Sequence, residues 1–244
     1  MTEWYGEDLA YIHDVGHADF ALHSAPGILE TLARSGIHAG LVVDLGCGSG
    51  LLARELVRAG YGVLGIDISE AMVEIARRRV PEAEFRIGSL FEAEIPPCAA
   101  ITAVSEVLNY LFDKESGRGG LGPLFRRVYA ALRPGGVFVF DLAGPGQIPR
   151  SEKVRTYSEG EDWVVLLEKE EDSESGIYTR RITSFRKLGE LYRRDEETHR
   201  QRLYGSTEVL RELRRAGFRA RARRSYGGYR LPRAHAAFIA RRPA

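Results

Sequence analysis

The residues best placed for chemistry are two acids and the glycines between them. Asp44 and Asp67 each end a short apolar run, Val42-Val43-Asp44 and Val63-Leu64-Gly65-Ile66-Asp67. Between the runs lies Gly46-Cys47-Gly48-Ser49-Gly50, followed by an amphipathic segment. That order predicts strand, tight turn, helix, then a second strand. Glycine has no Cβ, so the turn lets main chain approach a bound ligand closely. A carboxylate at the end of the second strand can accept hydrogen bonds from both hydroxyls of a ribose. The pattern is not the dinucleotide fingerprint G-x-G-x-x-G, because Leu51 stands where the third glycine would pack helix on strand. Nor does it contain G-x-x-x-x-G-K-[ST], so no phosphate-cradling lysine follows.

The elements that must position these residues alternate along the chain. Strands are expected at 41–45, 61–66, 83–87, 100–104 and 136–141, and helices at 50–59, 70–79 and 121–132. Ser69 is placed to cap the second of those helices. Such alternation predicts a parallel sheet with right-handed crossovers. Helices at 8–14, 18–23 and 26–35 precede it, and the loop 113–120, with Gly117, Gly119 and Gly120, is expected to be mobile. Residues 151–204 break the alternation. Strands at 164–169, 178–187 and 191–204, turned at 172–176 and 188–190, predict an antiparallel meander with one covered and one wet face. A helix at 207–216 capped by Ser206 and strands at 218–225 and 235–241 finish the sheet.

With its preceding acid the turn reads D-x-G-x-G-x-G, which closely resembles motif I of the class I S-adenosylmethionine-dependent methyltransferases. Leu132-Arg133-Pro134-Gly135-Gly136 resembles the segment before the fifth strand of that family. The resemblance spans residues 40–145, and 205–244 more loosely. It implies an α/β fold: a Rossmann-like, doubly wound, seven-stranded, mostly parallel sheet. N-terminal helices (1–40) would lie over the cofactor mouth, the core would comprise 41–150 and 205–244, and the antiparallel insertion after strand five (151–204) would cap the active site. It also implies S-adenosyl-L-methionine as cofactor. Asp44, Gly46, Cys47, Gly48 and Gly50 would then pass beside its methionine part. Asp67 would hold the ribose, with Ile68 and Met72 against the adenine. Gly88, Ser89 and Leu90 would border the adenine, although the family often carries Asp where this chain has Ser89. A hydroxyl can accept the same bond, and Glu92 is a nearby substitute.

Ligands in open α/β sheets bind at the carboxyl ends of the strands, so the segment after the fourth strand borders the transferred methyl. Here it is Ser105-Glu106-Val107-Leu108-Asn109-Tyr110. It lacks the [DNS]-P-P-[YFW] of amino-methylating DNA enzymes, and Pro97-Cys98 precedes the strand rather than following it, unlike the nucleophile of cytosine C5-methylating enzymes. Ser105 and Glu106 are expected at the cofactor. Substrate candidates are Asn109, Tyr110, Arg202 and Tyr204, and base candidates are His199, Tyr11 and His17, with His13 on the same N-terminal helix. His199 and Tyr204 should not share one pocket, since an odd separation alternates faces. Displacement at a sulfonium needs alignment and exclusion of water more than a base, so the lack of an evident triad is expected.

Composition narrows the partners. The chain has 244 residues, 44% hydrophobic, with no apolar run approaching the ~18 of a membrane span. No signal-peptide pattern opens it, and two cysteines, Cys47 and Cys98, suggest neither a disulfide framework nor a metal site. A cytoplasmic protein with no metal is expected, its oligomeric state left open. The net charge of +1 is uneven: residues 200–244 carry 13 Arg against Glu208 and Glu212. Arg219, Arg221 and Arg223 alternate with alanines, as on a solvated edge strand. Function is read as methyl transfer to a nitrogen or oxygen of a small molecule. Rival readings are a tRNA or protein methyltransferase docking through the arginines, a nicotinamide oxidoreductase, which Leu51 disfavours, and a non-catalytic cofactor-binding module.

Overall fold

The computed structural model describes residues 4–112, 120–148 and 153–244. Most of the 113–120 loop, including Gly117 and Gly119, lies outside the described residues. The core alternates β1 (Leu41–Leu45), α3 (Leu51–Arg58), β2 (Gly62–Asp67), α4 (Glu70–Arg79), β3 (Glu84–Ile87), β4 (Cys98–Ala103), α5 (Gly122–Ala131) and β5 (Leu132–Ala143), after helices α1 (Glu7–Gly16) and α2 (Asp19–Arg34). The insertion holds β6 (Val154–Glu159), β7 (Trp163–Asp172), β8 (Ile177–Leu188) and β9 (Leu191–Arg202). The chain closes with α6 (Ser206–Arg215), β10 (Arg219–Arg223), a short hairpin of β11 (Ser225–Tyr226) and β12 (Tyr229–Arg230), and β13 (His235–Arg241).

The main sheet has seven strands in the order β10-β13-β5-β4-β1-β2-β3. Strands β1 to β5 pair in parallel, and β13 enters antiparallel between β5 and β10. Both faces are covered. Ile28, Leu32, Leu52, Leu56 and Val73 pack on one, and Leu124, Phe125, Val128, Val209 and Leu213 on the other. That is why the strands read as continuous apolar runs. Strand β10 is one of the two edges, and its Arg219, Arg221 and Arg223 are exposed, which disfavours further strand addition there.

Several elements depart from the sequence expectation. The helices expected at 18–23 and 26–35 are one helix running through Pro26. Proline inside a helix costs about 3 kcal/mol, but Ala25, Ile28 and Leu32 on this helix are essentially fully buried. At roughly 1.5–3 kcal/mol per large apolar side chain, the two aliphatic residues offset the break. Gly27 sets the approach: a Cβ there would lie 2.2 Å from the Tyr226 carbonyl carbon, so the β11–β12 hairpin docks directly on helix backbone. The insertion has four strands rather than three, because the charged run Val154–Glu159 pairs with β7 despite lacking an apolar alternation. Ser206 opens α6 but makes no cap bond. Strand β5 starts at Leu132, with the Pro-Gly-Gly segment bulged out between Cys98↔Leu132 and Ala100↔Val137 pairings.

Candidate active site

Strand order reverses around β1, which lies between β4 and β2, and a cavity of about 640 Å³ opens at the carboxyl ends there. The turn after β1, the end of β2 and the loops after β3 and β4 form one side. The carboxyl end of α1 and the inner face of β7 and β8 form the other.

The glycine turn is held by its neighbours. The N–H groups of Gly46 and Cys47 donate to the Ile66 carbonyl, at 2.7 and 3.1 Å. Gly48 N–H donates to Asp67 Oδ2 at 2.8 Å, and Ser69 N–H to Asp67 Oδ1 at 2.9 Å. The Ser69 hydroxyl accepts from Met72 N–H, capping α4, and donates to the Tyr5 carbonyl. Gly48 has φ +51, and a Cβ built on it would meet nothing within 4 Å. Its main chain therefore faces the cavity, in space a side chain would fill. Asp44 accepts from the Thr102 hydroxyl at 2.6 Å, and burial pushes its carboxyl up to about 7. Burial also raises Asp67. Both acids are poised to gain from a cation or from hydroxyl donors.

The loop after β4 is strained and clamped. Ser105 and Glu106 lie at φ +73 and +48, which disfavours side-chain-bearing residues. Asp141 holds them, accepting from both N–H groups at 2.9 Å, while the Tyr226 hydroxyl donates to the same carboxylate at 2.9 Å. Burial, then the Glu106 charge, pushes Asp141 up to about 7. This clamp could not be read from the sequence, because it joins the ends of two strands and a distant hairpin.

Of the residues singled out above, Asp44, Gly46, Cys47, Gly48, Asp67, Ile68, Met72, Gly88, Ser89, Leu90, Ser105, Glu106, Tyr110 and His17 line the cavity. Gly50 does not; it opens α3 and packs on Ala76. Glu92 is exposed outside the lining. The base candidate His199 is fully buried away from the cavity, its Nε2 2.7 Å from Glu197 Oε2. Burial lowers its pKa although Glu197 opposes this. Glu197 also accepts from Tyr5 and Gly6 N–H, so the pair ties the N-terminal segment to β9. Tyr11 turns outward, donating to Asp162 at 2.9 Å with the Arg186 guanidinium over its ring. Asn109 donates to the Ala143 and Arg202 carbonyls and accepts from Ala143 N–H. It is a backbone splice with no free face toward a substrate. Arg202 and Tyr204 also lie outside the lining; Tyr204 is buried in the core beneath α5 and α6.

The cavity holds groups the sequence did not point to: Tyr5, Lys169, Arg180 and His235. Tyr5 and Tyr110 share a hydroxyl–hydroxyl bond of 3.0 Å, and Arg180 donates to Tyr110. Arg180 Nη1 also stands 3.7 Å from Glu106 Oε1. His13 lines the cavity too, and burial beside His17 and Arg180 pushes it down to about 4, so it is neutral at pH 7. The one available signal was period two: Val165, Leu167 and Lys169 share the inner face of β7, as Arg180 and Ile182 share that of β8.

The arrangement offers an acid-ended cleft backed by glycine main chain, continuous with a chamber under β7 and β8. Comparison with known proteins agrees. Residues 42–136 match the family model described as a methyltransferase domain. The chain is 36% identical over 138 residues to the trans-aconitate 2-methyltransferase of Paracidovorax citrulli, covering 55% of this chain and 51% of that one. It is 33% identical over 144 residues to the dTDP-4-amino-2,3,4,6-tetradeoxy-D-glucose N,N-dimethyltransferase of Saccharopolyspora spinosa, covering 56% and 55%. The chain thus spans about half the length of each of these two relatives. Its fold matches that of an S-adenosylmethionine-dependent methyltransferase from Clostridium acetobutylicum over 96% of this chain and 98% of the other, with TM-score 0.80 and 19% identity. Motif, fold and matched segment agree: residues 42–136 match a methyltransferase domain, and the chain has the fold of solved S-adenosylmethionine-dependent methyltransferases.

Proposed function

We propose that this chain transfers a methyl group from S-adenosylmethionine to a nitrogen or oxygen of a small-molecule acceptor. The observation that carries this reading is the shape of the cavity. One end presents bare glycine backbone, the buried Asp44 and the half-buried Asp67, and the other is covered by an antiparallel sheet. A volume of about 640 Å³ lies within the ~300–1,000 Å³ of small-ligand sites.

The cofactor, when bound, supplies a methyl carbon on a positively charged sulfur. Asp67 is placed for the ribose hydroxyls, and Asp44 and the Gly48 backbone for the methionine end. Ile68, Met72 and Leu90 offer an apolar wall for the adenine. The 105–106 backbone, fixed by Asp141, would border the methyl group of a bound cofactor. Tyr5, Tyr110 and His13 form a desolvated rim that excludes water and orients the acceptor. His13 is neutral at pH 7 and can accept a hydrogen bond from the hydroxyl or amine of an acceptor, orienting its lone pair.

The arginines of 206–224 contribute no residue to the cavity lining, so the macromolecular-docking reading gains nothing from the geometry. No described helix is long and apolar enough to cross a membrane, and both cysteines are free and buried; a cytoplasmic setting is part of this proposal. The test is calorimetric titration with S-adenosylmethionine, followed by S-adenosylhomocysteine release across a metabolite panel. Heat of binding with turnover is expected. No heat overturns the reading, and binding without turnover on any acceptor leaves a cofactor-binding module.

A further inference from the structure

The sheet that closes the cavity carries a charge imbalance. Lys169 and Arg180 are register partners across β7 and β8, and both line the cavity. Two cations thus stand directly opposite on one face, which destabilises a sheet unless a counter-charge meets them. The same sheet contains a control. Arg186 and Arg193 are register partners across β8 and β9. There the buried carboxylate of Asp8 joins them, accepting from Arg186 at 3.0 Å and from Arg193 through both oxygens.

Among the described residues no carboxylate joins Lys169 to Arg180. Glu106 stands 3.7 Å from Arg180, and among the described residues no acid lies within ion-pair distance of the Lys169 ammonium. Burial and the Arg180 charge hold that ammonium below its ordinary range. The remaining acids of the lining are committed elsewhere. Asp44 and Asp67 belong to the glycine-turn end, and Asp19 is exposed. Beside the two cations, Val165, Leu167 and Ile182 make an apolar patch on the same inner face.

We infer that the acceptor carries an oxyanion, a carboxylate or a phosphate, which bridges Lys169 and Arg180 as Asp8 bridges Arg186 and Arg193. This rests on the methyl-transfer reading and narrows its substrate class. The anion lies on the insertion side of the cavity, so the methylated atom belongs to the part of the acceptor that reaches the 105–106 loop. Val165, Leu167 and Ile182 take its apolar body.

The test uses the full chain saturated with S-adenosylhomocysteine. Malonate, tricarballylate, inorganic phosphate and neutral glycerol are titrated calorimetrically against a chloride control of equal ionic strength. The wild type is expected to bind a carboxylate or phosphate probe above the chloride background and to ignore glycerol. Lys169→Gln should weaken that binding about tenfold or more, the loss of one charge-assisted contact. Lys169→Arg should restore most of it, and S-adenosylhomocysteine affinity should stay the same in all three proteins. Stronger binding of malonate or tricarballylate assigns a carboxylate acceptor, and stronger binding of phosphate a phosphorylated one. Equal binding of all anions by wild type and Lys169→Gln overturns the inference, as does no binding above chloride. Failure of S-adenosylhomocysteine itself to bind is a separate outcome, which removes the methyl-transfer reading and this inference with it.

Discussion

The two ends of the cavity are built from different materials. The proposed cofactor end is mostly backbone: Gly48 main chain, N–H groups on the Ile66 carbonyl, and Asp67 spanning two further N–H groups. The proposed acceptor end is side chain: a tyrosine pair, a half-buried histidine and two cations projecting from a sheet far along the sequence. Backbone recognition needs one conformation and tolerates one ligand shape. Side-chain recognition can be rewritten without moving the scaffold. A fold can therefore keep one methyl donor while changing its acceptor, and the comparison predicts that variants at the two ends separate cleanly.

The largest effect belongs to the bare backbone. Gly48→Leu projects a side chain into the cavity, where a Cβ now meets nothing within 4 Å. S-adenosylhomocysteine binding should fall beyond calorimetric detection. Strain at φ +51 costs only about 1–2 kcal/mol, so circular dichroism should still show a folded protein. Retained binding would mean that the turn does not touch the ligand. Next comes Asp67→Ala, which should weaken S-adenosylhomocysteine by roughly 1.5–3 kcal/mol for lost charge-assisted bonds. Acceptor KM at saturating cofactor should hardly move. A shift in acceptor KM with unchanged cofactor affinity would reverse the assignment of the two ends.

The same contrast explains what the sequence could and could not disclose. That Asp44, Gly48 and Asp67 share one cavity was legible because they meet through neighbouring strands in register, Val43 beside Leu64 and Asp44 beside Gly65. Local punctuation, an acid or glycine ending an apolar run, marks such sites. His199, Asn109 and Arg202 misled for a related reason. A polar residue near a strand end announces that it must be satisfied, not by what. Here Glu197 takes the Nε2 of His199, and the Ala143 and Arg202 carbonyls take the Asn109 amide. Lys169 and Arg180 were hidden by the converse. They sit in strongly charged strands, and only the register of the meander shows which charges face inward. Pro26 shows the limit of local signals in the fold itself, since burial of Ile28 and Leu32 outweighs a residue that ends most helices.

A third, smaller effect is pH. Asp44, facing Thr102 and the Asp67 charge, titrates near 7 when the site is empty. A raised carboxyl pKa gives stability that is present below the ordinary value near 4 and lost as pH rises through 7; Asp141 behaves likewise. The empty protein should therefore lose melting temperature between about pH 4 and 7 and level off above. Binding runs the other way, because the cationic cofactor favours ionised Asp44. Affinity for S-adenosylmethionine should rise about tenfold from pH 6 to 8, with protons released on binding. Asp44→Asn should flatten that profile. Equal proton release from wild type and variant, measured by calorimetry in buffers of different ionisation enthalpy, would move the titration to another group.

The smallest effect on turnover is expected at His199, although it is a histidine on the strand that packs beside the cavity. Its imidazole bonds Glu197, and Glu197 holds the N–H groups of Tyr5 and Gly6. Trp4, Tyr5, Tyr110 and Phe112 surround the ring. Its work is to fix the N-terminal segment that carries Tyr5 into the lining, so His199→Gln, which can keep the bond to Glu197, should leave kcat within about twofold. His199→Ala leaves a buried carboxylate without that partner and should cost roughly 1–3 kcal/mol of stability. Its pH–rate profile should keep the wild-type shape, because a positioning residue changes the amplitude of the profile without supplying one of its limbs. Loss of the acidic limb in His199→Gln, with melting temperature unchanged, would make His199 the proton acceptor after all and extend the chemistry of the acceptor end beyond the cavity lining.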